Sequence, residues 1–504
     1  MSTTRNPDEG PEQAVIAPQR SPAAPVTPQP EPDPRTVEAP LIDPSVVEQI
    51  ELVEIGEVAS PTAPRRVDPS VPERERDDRP YRGLRPKLAE RLILAVAVAI
   101  PFLQAPGLIF TDSRSDLTVN PGLFLSRVFQ TWSSTYDLGH VQSGQFVGYI
   151  FPMAPFYAGG AATGMPMWVV QRVWLALILV AAGIGVSRLI GALWERDDGL
   201  ARLLGGLVFV LNPYVVTQLN RGTITLTAYA VLPWLLYAAH RGMLEPRRWR
   251  WPIAAGFFVA MAGGGVNAAV LLWVMLAPLL LVIYEVAILG RSRRAAWSLL
   301  WRTGVCVLLL SLWWIIPTTL QSGFGADFLS FTEQPATIWQ TNSVSESLRL
   351  LGYWITYFQI GFGASRPVVP PTTAYLFAPL LVAGSFAVPV LAFAFLSITW
   401  RKPYIPFFVL LAVGAIIAMA VGFPPGKPLN RLLVRAYYDY PLLQILRTTY
   451  KAAPLLAIAL AVLVGTGGAA AVRRIRLVNN RRAAIVGLFA APIVFGFPLV
   501  TGTA

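Results

Sequence analysis

Thiol and imidazole chemistry is almost missing from this sequence of 504 residues, which holds one cysteine, Cys306, and two histidines, His140 and His240. A single cysteine excludes an intramolecular disulfide, and its place inside an apolar run reads as a small buried hydrophobe. Two histidines far apart in the chain do not make a histidine-based metal site. Charge is scarce as well, at 14% of residues, while 54% are hydrophobic and 15 are Trp. That balance, with repeated apolar runs long enough to cross a hydrocarbon layer of roughly 30 Å, excludes a soluble globular protein and predicts a polytopic membrane protein. A phosphate-cradling glycine loop is also lacking. Gly263-Gly264-Gly265-Val266-Asn267 has neither a preceding strand nor a following Lys, and reads as a turn at the membrane face. No signal peptide is read either, because the start lacks a basic region followed by an apolar core and the first hydrophobic run opens only near Leu92.

What is present divides the chain in two. Residues 1–80 are rich in Pro, Glu, Asp, Ala and Arg, with no Trp or Phe and no Leu-rich face, and cannot bury enough apolar area to offset chain entropy. A disordered tail over 1–85, lying in the cytoplasm, is the expectation. The alternation of Val, Ile and Leu with Glu between Val46 and Val58 reads as a solvated linker, with a transient helix or a docking segment for a partner as the alternative. The first 80 residues hold 16 acidic and 8 basic side chains, against 13 acidic and 33 basic in the remainder, so the overall net charge of +12 hides an acidic tail and a strongly basic membrane part. Those positive charges sit in short loops between apolar runs. Anionic lipid and topology account for them better than nucleic acid, which is excluded as a partner.

From residue 86 onward the runs predict an all-α bundle of about eleven transmembrane helices. They lie near 91–110, 167–190, 200–219, 224–240, 251–264, 267–289, 303–320, 374–399, 405–422, 451–472 and 483–503, the fifth being short and ending in glycines, as a broken or half-inserted helix would. Arg and Lys cluster before the first run and after the fourth, sixth, eighth and tenth, on a single side of the membrane under this count, which the positive-inside rule makes cytoplasmic. The other side receives three large segments, 111–166, 321–373 and 424–450, and active-site residues are expected there.

In the first of these, Asp112 and Asp116 share a face if Thr111-Asp112-Ser113-Arg114-Ser115-Asp116-Leu117 begins a helix, and two carboxylates so placed repel, which tends to raise the pKa of one and make it a base. Solvated loop acids are the bland alternative. Gln142, Gln145 and Tyr149, with Phe151-Pro152-Met153, form an aromatic, amide-bearing surface that reads equally as an interfacial anchor. The second segment places Asp327, Glu333 and Glu346 among Phe324, Phe328, Phe331, Trp339 and Trp354, a mixture suited to sugar stacking or to a plain covering loop. The third ends in Leu446-Arg447-Thr448-Thr449-Tyr450-Lys451. Arg447 and Lys451 point the same way on a helix at the depth of lipid phosphates, either holding a phosphodiester or snorkelling to headgroups.

The run from Asp112 to Leu117, then Asn120-Pro121, Phe124-Leu125, Gln142, Gln145, Gly148-Tyr149-Ile150-Phe151-Pro152-Met153, Gln171-Arg172-Val173-Trp174, Gly264-Gly265-Val266-Asn267-Ala268 and Leu446-Arg447-Thr448-Thr449-Tyr450-Lys451 resembles the membrane domain of actinobacterial α-(1→3)-arabinofuranosyltransferases of the AftD type, over roughly residues 88–504. The resemblance implies a GT-C-type fold and an inverting transferase that takes arabinofuranose from decaprenylphosphoryl-arabinofuranose to cell-wall arabinan in the plasma membrane. In that frame Asp112 or Asp116 serves as base, Arg447 with Lys451 holds the departing phosphate, and Gln142, Gln145, Tyr149, Asn267 and Glu333 contact substrate. No metal ligand set is assigned, and assistance by a divalent metal is left open. This chain ends soon after its last apolar run, where that family continues into a long periplasmic region with carbohydrate-binding modules, and it carries a tail in front; the expectation is a piece of a split protein or loss of acceptor-binding modules. A lipid-sugar transporter or flippase, which needs no base, and a non-catalytic scaffold of an envelope-synthesis complex, with a cytoplasmic partner on the tail or basic loops, are the rival readings.

Overall fold

The computed structural model describes residues 83–504, apart from residues 113, 131, 135–138, 142–143, 195–197, 323, 325–332, 361–365, 441–442 and 445–447. The expected disordered tail, including the stretch from Val46 to Val58, lies outside the described residues. The first helix, α1 (Pro86–Leu103), starts at a proline, whose missing N–H is one that a helix start leaves unpaired anyway. It ends where Ala105 and Gly107 take positive φ, so the first apolar run is helical only over its first part, and Gln104 to Phe110 run on as irregular chain.

Short helices α2 (Ser115–Val119), α3 (Pro121–Val128) and α4 (Met153–Ala162) fill the first large segment, with a 3₁₀ turn over Gly144–Tyr149. Then follow α5 (Met167–Leu193), α6 (Gly199–Val210), α7 (Pro213–Gln218), α8 (Thr223–Leu244), α9 (Arg250–Met261), α10 (Ala268–Ala287) and α11 (Arg293–Ser322). The second large segment holds α12 (Pro335–Trp339) and α13 (Val344–Leu348); the eighth run is broken into α14 (Thr373–Phe377), α15 (Pro379–Gly384), α16 (Ala387–Ala394) and α17 (Leu396–Thr399). Last come α18 (Ile405–Ala420), α19 (Pro428–Asp439), α20 (Ala453–Arg474), α21 (Val478–Phe495) and α22 (Phe497–Thr501). Among the described residues strand is confined to two-residue antiparallel ladders, Trp132–Ser133 with His140–Val141 and Gln359–Ile360 with Arg366–Pro367.

The fold is an all-helical polytopic membrane domain. Every apolar run is helical over most of its length, yet only six helical stretches among the described residues are long and apolar enough to cross a membrane: Met167–Leu193, Gly199–Gln218, Ala268–Ala287, Arg293–Leu320, Pro379–Thr399 and Thr449–Arg474, with Ile405–Ala420 a shorter apolar helix. The sequence count of about eleven runs includes further helices that fall below that length or hydropathy, among them the 22-residue α8. The fifth run, α9, has 12 residues, about 18 Å of helix against a hydrocarbon layer of roughly 30 Å, in keeping with its reading as an incomplete crossing.

At the centre stands α20, 94% buried over its span, whereas α11 is 11% buried and turns Leu308, Leu309, Ile316 and Leu320 outward. An exposed face of that kind suits lipid, not water. Close approach explains the centre: a Cβ on Gly465 of α20 would lie 2.5 Å from the Ala201 carbonyl oxygen and 3.0 Å from the Gly205 nitrogen of α6. Only glycine lets two helix backbones meet at that distance, the small-residue packing expected where apolar burial alone gives helices no preference over lipid.

Candidate active site

Three chain segments converge on the short turn between α7 and α8, Leu219 to Gly222. From the first segment comes Asp112, 8% exposed. One carboxylate oxygen accepts from the backbone N–H of Thr223 at 3.3 Å, and the other from the Thr223 hydroxyl in a short hydrogen bond. Thr223 is the first residue of α8, so the carboxylate sits at the positive end of a 22-residue helix. Asp116 behaves differently. It opens α2 at the surface, its side chain 45% exposed, with Arg114 at 4.0 Å. Asp112 precedes that helix, so the expected shared helical face of the two acids is absent: the helix starts at Ser115, three residues later than the spacing argument required.

The position of Asp112 is set from behind by Gln171 and Arg172 on α5. Gln171 brackets Phe110, its Oε1 accepting from the Phe110 N–H at 2.7 Å and its Nε2 donating to the Phe110 carbonyl at 3.1 Å. Arg172, fully buried, donates to the carbonyls of Gln104, Ala105 and Leu108 at 2.9–3.3 Å and to Gln171 Oε1 at 3.0 Å, and lies over the Phe110 ring at 3.5 Å. These bonds satisfy the irregular chain that leads into the acid, whose backbone groups would otherwise be orphaned. The Tyr157 phenol, buried nearby, is pushed well above its ordinary range by burial and then by the Asp112 charge, so it stays neutral beside the carboxylate.

Arg221, half-buried in the same turn, was not singled out in the sequence. Burial lowers its guanidinium pKa, with Tyr353 opposing the shift. Among the described residues its Nε is buried without a hydrogen-bond partner, as is the side-chain oxygen of Asn220 next to it. A signal existed: under the eleven-run count Arg221 is an arginine in a short loop on the side where short loops otherwise lack them.

The second and third segments complete the neighbourhood. Glu333 accepts from Trp354 Nε1 at 2.8 Å and from the Tyr450 hydroxyl at 3.0 Å, and the rings of Tyr353 and Tyr450 are 5.1 Å apart. Burial, then the Glu333 charge, raises the Tyr353 phenol. Lys451 follows, its Nζ 5.7 Å from the Tyr450 ring centre. The structure thus brings Glu333 and Lys451 together through Tyr450, while Arg447 lies outside the described residues. So do Gln142 and the side chain of Gln145, and Asp327, Phe328 and Phe331.

Tyr149 and Asn267 each make a contact within the protein. Tyr149 is buried edge-on to Phe124, with ring centroids 6.5 Å apart. The side chain of Asn267 caps α10, accepting from the Val270 N–H at 3.3 Å. Their two motifs touch: a Cβ on Gly148 would lie 2.5 Å from the Gly265 carbonyl carbon and 2.6 Å from the Val266 nitrogen. Beside this joint, Phe129, Ile150, Phe151, Phe257, Leu310 and Trp313 line an apolar groove of about 450 Å³.

A family model, the α-(1→3)-arabinofuranosyltransferase N-terminal GT-C domain, matches residues 96–500. The chain belongs to this family. It is 30% identical over 296 residues to the α-(1→3)-arabinofuranosyltransferase of Mycolicibacterium smegmatis, covering 59% of this chain and 20% of that protein. The enzyme of the same name from Mycobacterium tuberculosis is 32% identical over 305 residues, 58% of this chain and 21% of that protein. The chain thus spans about a fifth of the length of these relatives. A cryo-EM structure of arabinofuranosyltransferase AftD from mycobacteria shares the fold, with a TM-score of 0.57 at 24% identity over 84% of this chain and 27% of that one. Within this GT-C family the residues gathered at the α7–α8 turn form the candidate active site. Among the described residues no cluster of three or more His, Cys, Asp or Glu side chains could hold a metal ion.

Proposed function

We propose that this GT-C domain transfers arabinofuranose from decaprenylphosphoryl-arabinofuranose to a hydroxyl of an arabinan acceptor in an α-(1→3) linkage, with Asp112 as general base. The observation that carries this reading is a buried carboxylate at the start of α8 with Arg221 two residues from its partner Thr223. A base and a cation placed together are what transfer from a lipid phosphate requires. The acceptor oxygen attacks the anomeric carbon and gives its proton to Asp112, while the bond from that carbon to the phosphate oxygen breaks and the polyprenyl phosphate leaves with the electron pair. A β-linked donor giving an α-linked product calls for one displacement with inversion and no covalent intermediate.

Arg221, with Lys451 and Arg447, answers the charge of the leaving phosphate, and Glu333 with Tyr353 and Trp354 offers a carboxylate among aromatic rings for sugar hydroxyls. The groove beside Phe151 suits the prenyl chain. Gln142, Gln145, Tyr149 and Asn267 belong to the substrate surface or to its support, and Asp116 to its rim. The side bearing these residues faces away from the cytoplasm.

The test is transfer by the purified chain from decaprenylphosphoryl-[¹⁴C]arabinofuranose to a synthetic arabinan acceptor, compared with Asp112→Asn. Labelled α-(1→3) product from the parent and a large loss in the variant support the reading. Donor binding without product in either protein favours transport or scaffolding.

A further inference from the structure

The other end of α8 carries a second polar site, which the proposed reaction does not use. Near His240 and Arg241 a cavity of about 890 Å³ opens between the C-terminal ends of α5, α8 and α20 and the turn before α18. Four cations line it, Arg241, Arg291, Lys402 and Arg473. Among the described residues Glu245 lies 2.7 Å from Arg241, Glu285 lies 3.2 Å from Arg291, and Asp198 is paired with Arg473. Glu245 and Glu285 stand outside the lining, so among the described residues the space is bordered by four positive groups, Arg241, Arg291, Lys402 and Arg473, and by the carboxylate of Asp198.

A buried network in the wall, built on His240, Glu285 and Tyr404, holds Arg291. Glu285, fully buried, bonds His240 Nδ1 at 2.6 Å and accepts from the Tyr404 hydroxyl at 3.2 Å; His240 Nε2 stands 3.2 Å from the Ala192 carbonyl. Arg291 is held between Glu285 and the Tyr404 hydroxyl, 3.5 Å away. Ile190, Leu193, Leu244 and Leu289 give the lining an apolar part, beside the polar Asp198, His240, Tyr404 and Thr466. Cations at helix C-termini are favoured by the helix dipole alone, but that effect requires neither an enclosed space of ligand size nor an apolar wall beside it. A lipid has both halves: an anionic phosphate for an arginine fork and an ammonium, and a chain for the leucines.

We propose that this cavity binds the phosphate headgroup of an anionic phospholipid, with Arg291 and Lys402 at the phosphate and an acyl chain against Ile190, Leu244 and Leu289. The assignment is independent of the transferase reading.

The experiment is native mass spectrometry of the full chain in neutral detergent, with phosphatidylglycerol and phosphatidylcholine supplied at equal concentration. The parent is expected to retain phosphatidylglycerol at least about tenfold better, and Lys402→Gln and Arg291→Gln to fall toward the phosphatidylcholine level. A paired Arg293→Gln, Arg294→Gln variant, exposed on the same basic face, is expected to keep the preference. Should Arg291→Gln fail to fold for want of a partner for Glu285, Lys402→Gln alone carries the test. Equal retention of the two lipids by the parent, or an undiminished preference in Lys402→Gln, overturns the proposal. Thermal protection by inorganic phosphate with no phosphatidylglycerol retained assigns the site to a free anion and overturns the lipid assignment.

Discussion

Asp112 and Asp116 stand four positions apart and meet different surroundings, one bound to the start of a long helix and the other half in solvent beside Arg114. Their variants should therefore separate. Asp112→Asn keeps the shape of the side chain but cannot take a proton, so turnover is expected to fall by about 10²- to 10⁴-fold with donor binding retained. Asp116→Asn is expected to lose far less, and equal losses in a steady-state assay would move the base elsewhere. For Arg221 the readout is donor use. Arg221→Ala is expected to raise the donor KM and lower kcat/KM, and Arg221→Lys to recover part of it, because an ammonium replaces the charge but not the fork. Unchanged donor kinetics in both variants would leave the phosphate to Lys451 and Arg447.

At the level of elements, the acid depends on packing it does not touch. Gln171 bonds both backbone groups of Phe110, and replacing it with Leu orphans a buried N–H and C=O, a penalty of about 1–3 kcal/mol per group. Gln171→Leu is expected to lower kcat with the protein still inserted, and Gln171→Glu, which keeps an acceptor for the Phe110 N–H, to do less harm; normal kcat in Gln171→Leu would show that the acid is held some other way. The contact of α6 and α20 gives a test of fold alone. Gly465→Val drives carbons against the backbone of Ala201 and Gly205, which cannot turn aside as a side chain can, and a destabilisation of about 1–3 kcal/mol or more is expected in thermal unfolding in detergent.

For the whole molecule, the Arg-rich connections gather at one end of the bundle and the candidate active site at the other, the two joined by α8, about 33 Å long for its 22 residues. If the basic end is cytoplasmic, cysteines introduced near Arg248 and Arg294 in a Cys306→Ser background are expected to resist a membrane-impermeant thiol reagent in intact cells, and ones near Ser134 and Ala336 to react. The reverse pattern would place the site inside. Removal of residues 2–75 is expected to leave insertion and transfer nearly intact, since a Pro- and acid-rich segment of this composition contributes few packing contacts. Lost insertion in that truncated chain would give the tail a structural role.

Composition and periodicity by themselves determined that this chain is an all-helical membrane protein, because only closed backbone hydrogen bonding survives in lipid and long apolar runs have few other uses. The motifs carried the family; Asp112 and Lys451 were legible as polar residues at the edges of apolar runs, and Glu333 as an acid among aromatic residues in a long loop. Three things were decided only by tertiary structure. Helix starts depend on what the chain packs against, so Asp112 falls outside α2 and caps α8 instead, 111 residues away in sequence. Gly263, Gly264 and Gly265 form the turn the sequence suggested, but that this turn packs backbone to backbone against Gly148 was not legible, since close backbone approach has no signature in a single sequence. Arg221 carried a signal, a lone arginine in a short loop, but its surroundings did not: spacing along the chain cannot report that packing sets Tyr353 near Arg221 and Asp112 against Thr223.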